Sequence, residues 1–216
     1  MDQERLERIL QDLARLQVLR ELALIDSPQE TVYDRITQIA SKVIGVPVSL
    51  VSMVADKYQF FKSMVGLPEP WASDRRTPLS HSFCQYVVAT NEPLVVSDAR
   101  KVDFLWDNLA IPDLNVIGYL GMPLTLSDGK PLGSFCVIDS EPHEWNETEI
   151  AIVRELAQII ANEIELRAKV NRKREPKAKL DEMHQTIDAL IQSLDTTVSQ
   201  TEFLENLKAA RAKFSV

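Results

Sequence analysis

An α+β fold built on an antiparallel sheet is the class predicted by this 216-residue chain. Three observations carry that prediction. Alternating apolar runs gather in the middle of the chain, two pairs of them meet across turns short enough to force antiparallel neighbours, and amphipathic helical stripes stand at both ends. With 45% hydrophobic residues, a chain of this length has material for a full core.

The elements follow in order. Residues 3–24 place Leu6, Ile9, Leu13, Leu16 and Ala23 at helical spacing, widened by Leu10, Leu19 and Leu22 and interrupted by Arg20. That stripe predicts one amphipathic helix that packs on something. Ser27-Pro28-Gln29-Glu30 reads as a capping box opening a second helix, with Tyr33, Ile36, Ile39, Ala40, Val43 and Ile44 buried and Gly45 as its stop. Residues 46–54 alternate as a strand, Ala55-Asp56-Lys57 turns, and Tyr58 to Val65 returns. Residues 66–78 are a proline-rich loop holding Trp71, and Leu79 to Ala89 has helical spacing. A short strand at 93–97 precedes an irregular, partly helical stretch to Asn115. Strands at 117–126 and 132–138 join at Ser127-Asp128-Gly129, where Asp-Gly supplies the backbone of a tight hairpin.

Asn146-Glu147-Thr148-Glu149 is a second capping box, opening a helix to about Val170 or until Pro176 breaks it. Ile150, Val153, Leu156, Ala157, Ile160 and Ile164 share its apolar side. Beyond it, Leu180, Met183, Ile187, Leu190 and Leu194 repeat as a short heptad seam, with Ile191 and Val198 beside it. Phe203, Leu204, Leu207 and Phe214 predict a last helix folding back. The organisation is therefore an N-terminal helix at 1–25, a central domain at 26–170, a basic linker at 171–179 and a helical, coiled-coil segment at 180–216.

Charge narrows the functions. Residues 26–170 carry 20 acidic against 12 basic side chains, a body that repels phosphate backbones and excludes nucleic acid as a partner. No run is long and apolar enough for a membrane span, and the two cysteines, Cys84 and Cys136, make no secreted disulfide framework. The chain reads as cytoplasmic, with reduced thiols.

Six blocks in order give a further signal: Leu24-Ile25-Asp26-Ser27-Pro28, the run from Gln59 to Leu67, Ser82-Phe83-Cys84, the run from Leu94 to Ala99, Gly121-Met122-Pro123-Leu124, and the run from Gly133 to Asp139. From about Leu19 to Leu166 the chain resembles a GAF domain, the bacterial kind that precedes kinase or cyclase output domains. The resemblance implies a five- or six-stranded antiparallel sheet with the terminal helices packed on one face. It places a ligand pocket on the other face, roofed by residues 66–92 and 100–116, and implies homodimerisation through the terminal helices. It also implies that Asp98, Asn108 and Tyr119 line the pocket, the alternative being loop capping for the first two and strand packing for Tyr119. The Asn-Lys-x-Asp-Glu motif of cyclic-nucleotide binders is absent, residues 108–119 hold no cysteine for a covalent bilin, and the reductases of this fold use three cysteines.

The remaining chemistry is sparse. Phe60, Phe61, Trp71, Phe104 and Trp106 either roof a cavity or fill it; Ser82, Phe83 and Cys84 border it. Cys84 and Cys136 read first as small buried hydrophobes and second as a redox pair. His81, His143 and His184 stand in unrelated segments, so no metal site is expected; nothing in the sequence orients His81 towards Cys84, and His184 reads as a surface residue rather than a phospho-acceptor. No catalytic set emerges. The reading is a non-catalytic sensory or regulatory homodimer. It binds a small molecule or protein, the ligand being unknown, and signals through its C-terminal helices to a kinase, a cyclase or a larger assembly. Since no catalytic domain fits beside the sensory one in 216 residues, the output is expected in another protein. The alternatives are an adaptor with a closed pocket and a thiol-dependent free-methionine sulfoxide reductase.

Overall fold

The computed structural model describes residues 3–172, 177–193 and 199–214. Six antiparallel strands form one sheet in the order β3-β2-β1-β6-β5-β4. They are β1 (Val48–Val54), β2 (Tyr58–Val65), β3 (Arg76–Pro78), β4 (Leu94–Val96), β5 (Gly118–Thr125) and β6 (Pro131–Asp139). The central pair, β1 and β6, is buried on both faces, so its strands are apolar almost throughout. The sequence reading missed β3 inside the loop before His81: three residues with an exposed Arg76 carry no alternation to detect.

Helices divide between the two faces. On one lie α2 (Leu13–Glu21), α3 (Thr31–Ile44) and α7 (Glu147–Arg172), which share a core cluster with Val51, Met53, Leu120, Met122, Phe135 and Val137 of the strands. The other face carries α5 (Cys84–Thr90), the one-turn helices α4 (Trp71–Asp74) and α6 (Ala110–Leu114), and their loops. A second cluster there joins Val87, Val88 and Leu105 to Leu50, Phe61, Tyr119 and Cys136.

The N-terminal stripe is two helices rather than one. The first, α1 (Gln3–Leu10), ends before Asp12, whose Oδ1 accepts from the amides of Ala14 (2.8 Å) and Arg15 (3.1 Å) and so opens α2. The break explains the generous apolar stripe, because it serves two faces. Leu6, Ile9 and Leu10 pack against the α5 side, while Leu16, Leu19 and Leu22 join the α3–α7 side. Leu13, at the corner, is left 79% exposed. Arg15 fills the bend beneath, donating to the carbonyls of Ile9 (3.1 Å), Leu10 (2.6 Å) and Val54 (2.5 Å). It thus satisfies the last turn of α1 and ties the corner to the end of β1.

Two further expectations are corrected. Ser27 does not cap a helix, and α3 begins at Thr31 with Glu30 as an extended N-cap making no side-chain cap bond. Both side chains are engaged instead by the buried Lys62. At the β5–β6 hairpin only Gly129 takes positive φ (84°), closing a three-residue loop between Leu126 and Lys130. The second capping box forms as read: the amide of Glu149 donates to Asn146 Oδ1 (3.0 Å), and the amide of Asn146 donates to Glu149 Oε2 (2.9 Å).

The tail folds back onto the domain. Helix α8 (Lys177–Ser193) packs against α3 and α7, and α9 (Gln200–Phe214) packs along α7. Met183, Ile187 and Leu190 of the heptad seam, with Phe203, Leu204 and Leu207, belong to the same core cluster as the sheet. The seam is therefore occupied within the chain, where the sequence reading looked for an intermolecular partner. Leu194, Val198, Pro176 and the side chains of Ile191 and Phe214 lie outside the described residues.

Candidate functional site

Under the α5 side of the sheet lies a seam of buried polar groups. Gln59 on β2 is its hub. Gln59 Oε1 accepts from Ser52 Oγ (3.1 Å) and Ser82 Oγ (2.7 Å), while Nε2 donates to Thr77 Oγ1 (2.7 Å) and the carbonyl of His81 (3.1 Å). One amide thus ties β1, β3 and the roof around His81 and Ser82 together, with every polar position filled. Ser82 Oγ also accepts from the amide of Gln85 (3.1 Å), and Asn108 Nδ2 donates to the Ser82 carbonyl (3.3 Å), joining the second roof segment to the first.

Beside the seam stands Tyr119 on β5. Its hydroxyl donates to Cys84 Sγ (3.4 Å) and lies 3.4 Å from Ser134 Oγ, while its ring meets Phe83 edge-on at 5.3 Å. A Cβ at Gly121, two residues along the same face, would run into the Tyr119 ring and hydroxyl, so glycine there makes room for the tyrosine. Cys84 Sγ and Cys136 Sγ are 3.9 Å apart. Burial, with the adjoining thiols, pushes the Tyr119 phenol far up. Burial does the same to the Cys136 thiol. Hydrogen bonding from Cys136 first, then from Tyr119, Ser52 and Ser134, outweighs burial at Cys84 and lowers its thiol to about 7.

The predicted pocket residues separate accordingly. Phe61, Ser82, Phe83, Cys84 and Tyr119 converge beneath the sheet, and Asn108 closes the roof from within, its Oδ1 accepting from the amide of Ala110 (3.0 Å). Asp98 does not join them. It accepts from the amide (3.2 Å) and guanidinium (2.8 Å) of Arg100, caps the turn Ala99–Lys101, and is held far below the usual carboxylate range by those bonds. Trp71 sits outside the seam, half-buried against the His81 ring at 5.1 Å. Trp106 is 65% exposed and Phe104 lies edge-on to Tyr86, so neither roofs the seam. His81 is oriented after all, by Ser80 Oγ (3.0 Å) and Asp113 Oδ2 (2.9 Å), but those bonds are not to Cys84. Sequence reasoning missed Ser52, Gln59, Thr77 and Ser134. Serine and glutamine in a strand look alike whether they face water or a buried amide.

The enclosed space is packed by Phe61, Phe83, Leu105 and Tyr119, all 3% exposed or less. At its rim, beneath α1, a cavity of about 190 Å³ is lined by Leu6, Leu10, Asp56, Leu79 and Gln85. A larger one, of about 370 Å³, lies on the opposite face between the start of α3 and α8, beside Glu30, Arg35 and His184.

On the opposite face a charge cluster gathers around Lys62. Lys62, with no exposed surface, reaches Glu30 (2.5 Å), Ser27 Oγ (2.7 Å) and the carbonyls of Ala23 and Pro28 (both 3.1 Å). A β-bulge opposite Val51 and Ser52 leaves Lys62 unpaired in the ladder, so both it and Ser63 face the helices. Arg167 on α7 pairs with Glu30 and with Glu163 (2.9 Å), and Tyr33 donates to Glu163. Among the described residues no group of three or more His, Cys, Asp or Glu is placed to hold a metal ion, and no helix is long and apolar enough to cross a membrane.

The GAF domain family model matches residues 28–164, well over half of the chain. This chain belongs to the GAF domain family. Among curated proteins this chain is 29% identical over 142 residues to a cyclic di-GMP phosphodiesterase of Pseudomonas aeruginosa, covering 65% of this chain and 23% of that protein. It is 32% identical over 101 residues to the diguanylate cyclase DgcP of Escherichia coli, covering 46% of this chain and 28% of that one. The chain thus spans about a quarter of the length of these relatives. The fold is similar to the GAF domain of a phosphoenolpyruvate-protein phosphotransferase from Coxiella burnetii. That likeness has a TM-score of 0.55 at 19% identity and covers 80% of this chain and 98% of that domain.

Proposed function

We propose that this GAF chain is a non-catalytic sensory or regulatory module of the cytoplasm that takes up a small molecule or protein on the roofed side of its sheet. One observation carries the reading: beside the apolar contacts of α5, Gln59 and Ser82 tie the roof to the sheet through buried polar bonds. A ligand offering a donor and an acceptor can replace those bonds without leaving an orphaned group. The names of the curated relatives support a regulatory role. One is named a cyclic di-GMP phosphodiesterase and the other a diguanylate cyclase, and the match covers about a quarter of each.

In this reading the shift passes through the sheet to α3 and α7 and leaves by α8 and α9 towards a kinase, a cyclase or a larger assembly. Homodimerisation through the terminal helices then proceeds by exchange of tails between copies, since the α8 seam is already filled in one chain. Native mass spectrometry of purified protein tests the uptake. One retained or exchangeable small molecule per chain is expected, lost in Gln59→Leu. Turnover of methionine sulfoxide or any other compound by the isolated chain contradicts the non-catalytic reading.

A second reading has its own support. The space under the roof is filled by Phe61, Phe83, Leu105 and Tyr119, as an adaptor with a closed pocket requires. Hydrogen exchange separates the two. Roof amides protected as strongly as those of β1 and β6 favour the adaptor, and faster exchange at 79–92 and 100–116 favours sensing.

A further inference from the structure

The chain contains two cysteines, 52 residues apart in sequence, and the fold brings them together. Cys84 opens α5 and Cys136 lies in the middle of β6, both buried and both free thiols. Their sulfurs stand 3.9 Å apart, in contact but unbonded. The surroundings are unequal. Cys84 Sγ receives the Tyr119 hydroxyl, with Ser134 next to that hydroxyl, whereas Cys136 lies on an apolar strand paired with Leu50 and Gly121. A thiolate is therefore better stabilised at Cys84, and Cys136 is the thiol held in reserve.

We propose that Cys84 and Cys136 form an oxidation site at which hydrogen peroxide closes a disulfide between α5 and β6. The Cys84 thiolate attacks one peroxide oxygen and the O–O bond breaks. Cys84 becomes a sulfenic acid, and the departing hydroxide takes a proton to leave as water. The Cys136 sulfur then attacks the Cys84 sulfur, the S–O bond breaks, and the hydroxyl leaves with the Cys136 proton as a second water. The two thiols lose two electrons in all, and the peroxide gains them. Hydrogen peroxide is close to water in size and reaches the pair through local opening of the short α5 and its roof.

Closure changes the site. Drawing the two sulfurs into a bond pulls α5 towards β6 and takes Cys84 away from the Tyr119 hydroxyl, the group linking this pair to Ser134. Oxidation therefore acts on the same roof as the proposed ligand. The chemistry itself stands on the two thiols alone, so it holds or fails separately from small-molecule uptake.

The test uses the whole chain, reduced, then exposed to hydrogen peroxide, alkylated in denaturant and mapped by mass spectrometry. The expected result is joint loss of both free thiols with no disulfide-linked dimer in denaturant, a linked pair of Cys84 and Cys136 peptides, and full recovery on thiol reduction. In Cys136→Ala, Cys84 is expected to stop at the sulfenic acid and be captured by dimedone. The wild-type readout needs no variant to fold. Two free thiols after a peroxide exposure that oxidises the urea-unfolded chain overturn the proposal. So does a disulfide between two copies, or oxidation of Cys84 beyond the sulfenic acid with Cys136 still free.

Discussion

A lysine ammonium with no exposed surface survives only where acceptors replace its water, and Lys62 has Glu30, Ser27 and two carbonyls for that purpose. Burial lowers its pKa, and the Glu30 carboxylate opposes that shift. Lys62→Leu takes the ammonium from Ser27, from the two carbonyls and from Glu30, which keeps Arg167, and is expected to cost about 1–3 kcal/mol in urea unfolding; an unchanged midpoint would show that the cluster is not structural. Gly121→Ala is expected to cost about 1–3 kcal/mol by driving a methyl group into Tyr119, and Gly121→Ala with Tyr119→Leu should recover part of it. An additive double variant contradicts that contact. These residues also mark where the sequence is silent. Ser27 and Glu30 spell a capping box as clearly as Asn146 and Glu149 do, yet only the second forms. A surface cap contributes about 1 kcal/mol, whereas a buried lysine left unpaired costs several times more, so Lys62 claims both side chains. Nothing near Ser27 in the sequence announces a lysine 35 residues away.

Elements are legible by their periods, but their partners are not. Met183, Ile187 and Leu190 say that one face of α8 is buried; spacing alone does not choose between a second chain and α3 with α7. In the same way the stripe over residues 3–24 showed how much apolar surface was present, and the bend at Asp12 divided it between two faces. His143 joins three elements that the sequence left unconnected. Its amide donates to the Ser97 carbonyl (3.0 Å), its ring stacks on Trp145 at 3.9 Å, and its nitrogens meet Asp139 (2.9 Å) and Glu149 (3.3 Å). Burial lowers the imidazole pKa, but Asp139 and Glu149 outweigh it and the net shift is upward. A raised folded pKa gives stability that is complete below the unfolded value of about 6.5 and is lost as pH rises through the folded one. The Tm gap between wild type and His143→Gln should thus be widest near about pH 6 and narrow at higher pH. A gap that stays constant contradicts the clamp.

At the scale of the molecule, the order β3-β2-β1-β6-β5-β4 puts the two longest-buried strands at the centre and gives each face its own hydrophobic cluster. The Cys84–Tyr119 seam and the tail therefore lie on opposite sides of one sheet, as the proposed sensory reading requires. Deleting residues 178–216 should leave the sheet folded, lower Tm and make the domain self-associate, because the apolar surface of α3 and α7 is uncovered. A monomeric truncation with unchanged Tm would show that the tail is not part of this core. Signal reception is tested most directly by native mass spectrometry of the full chain as purified. The predicted spectrum contains the chain with one small molecule per copy, and Gln59→Leu spectra lack it. Spectra of a bare chain in both proteins, with no shift on adding back extract from its source, would contradict the account.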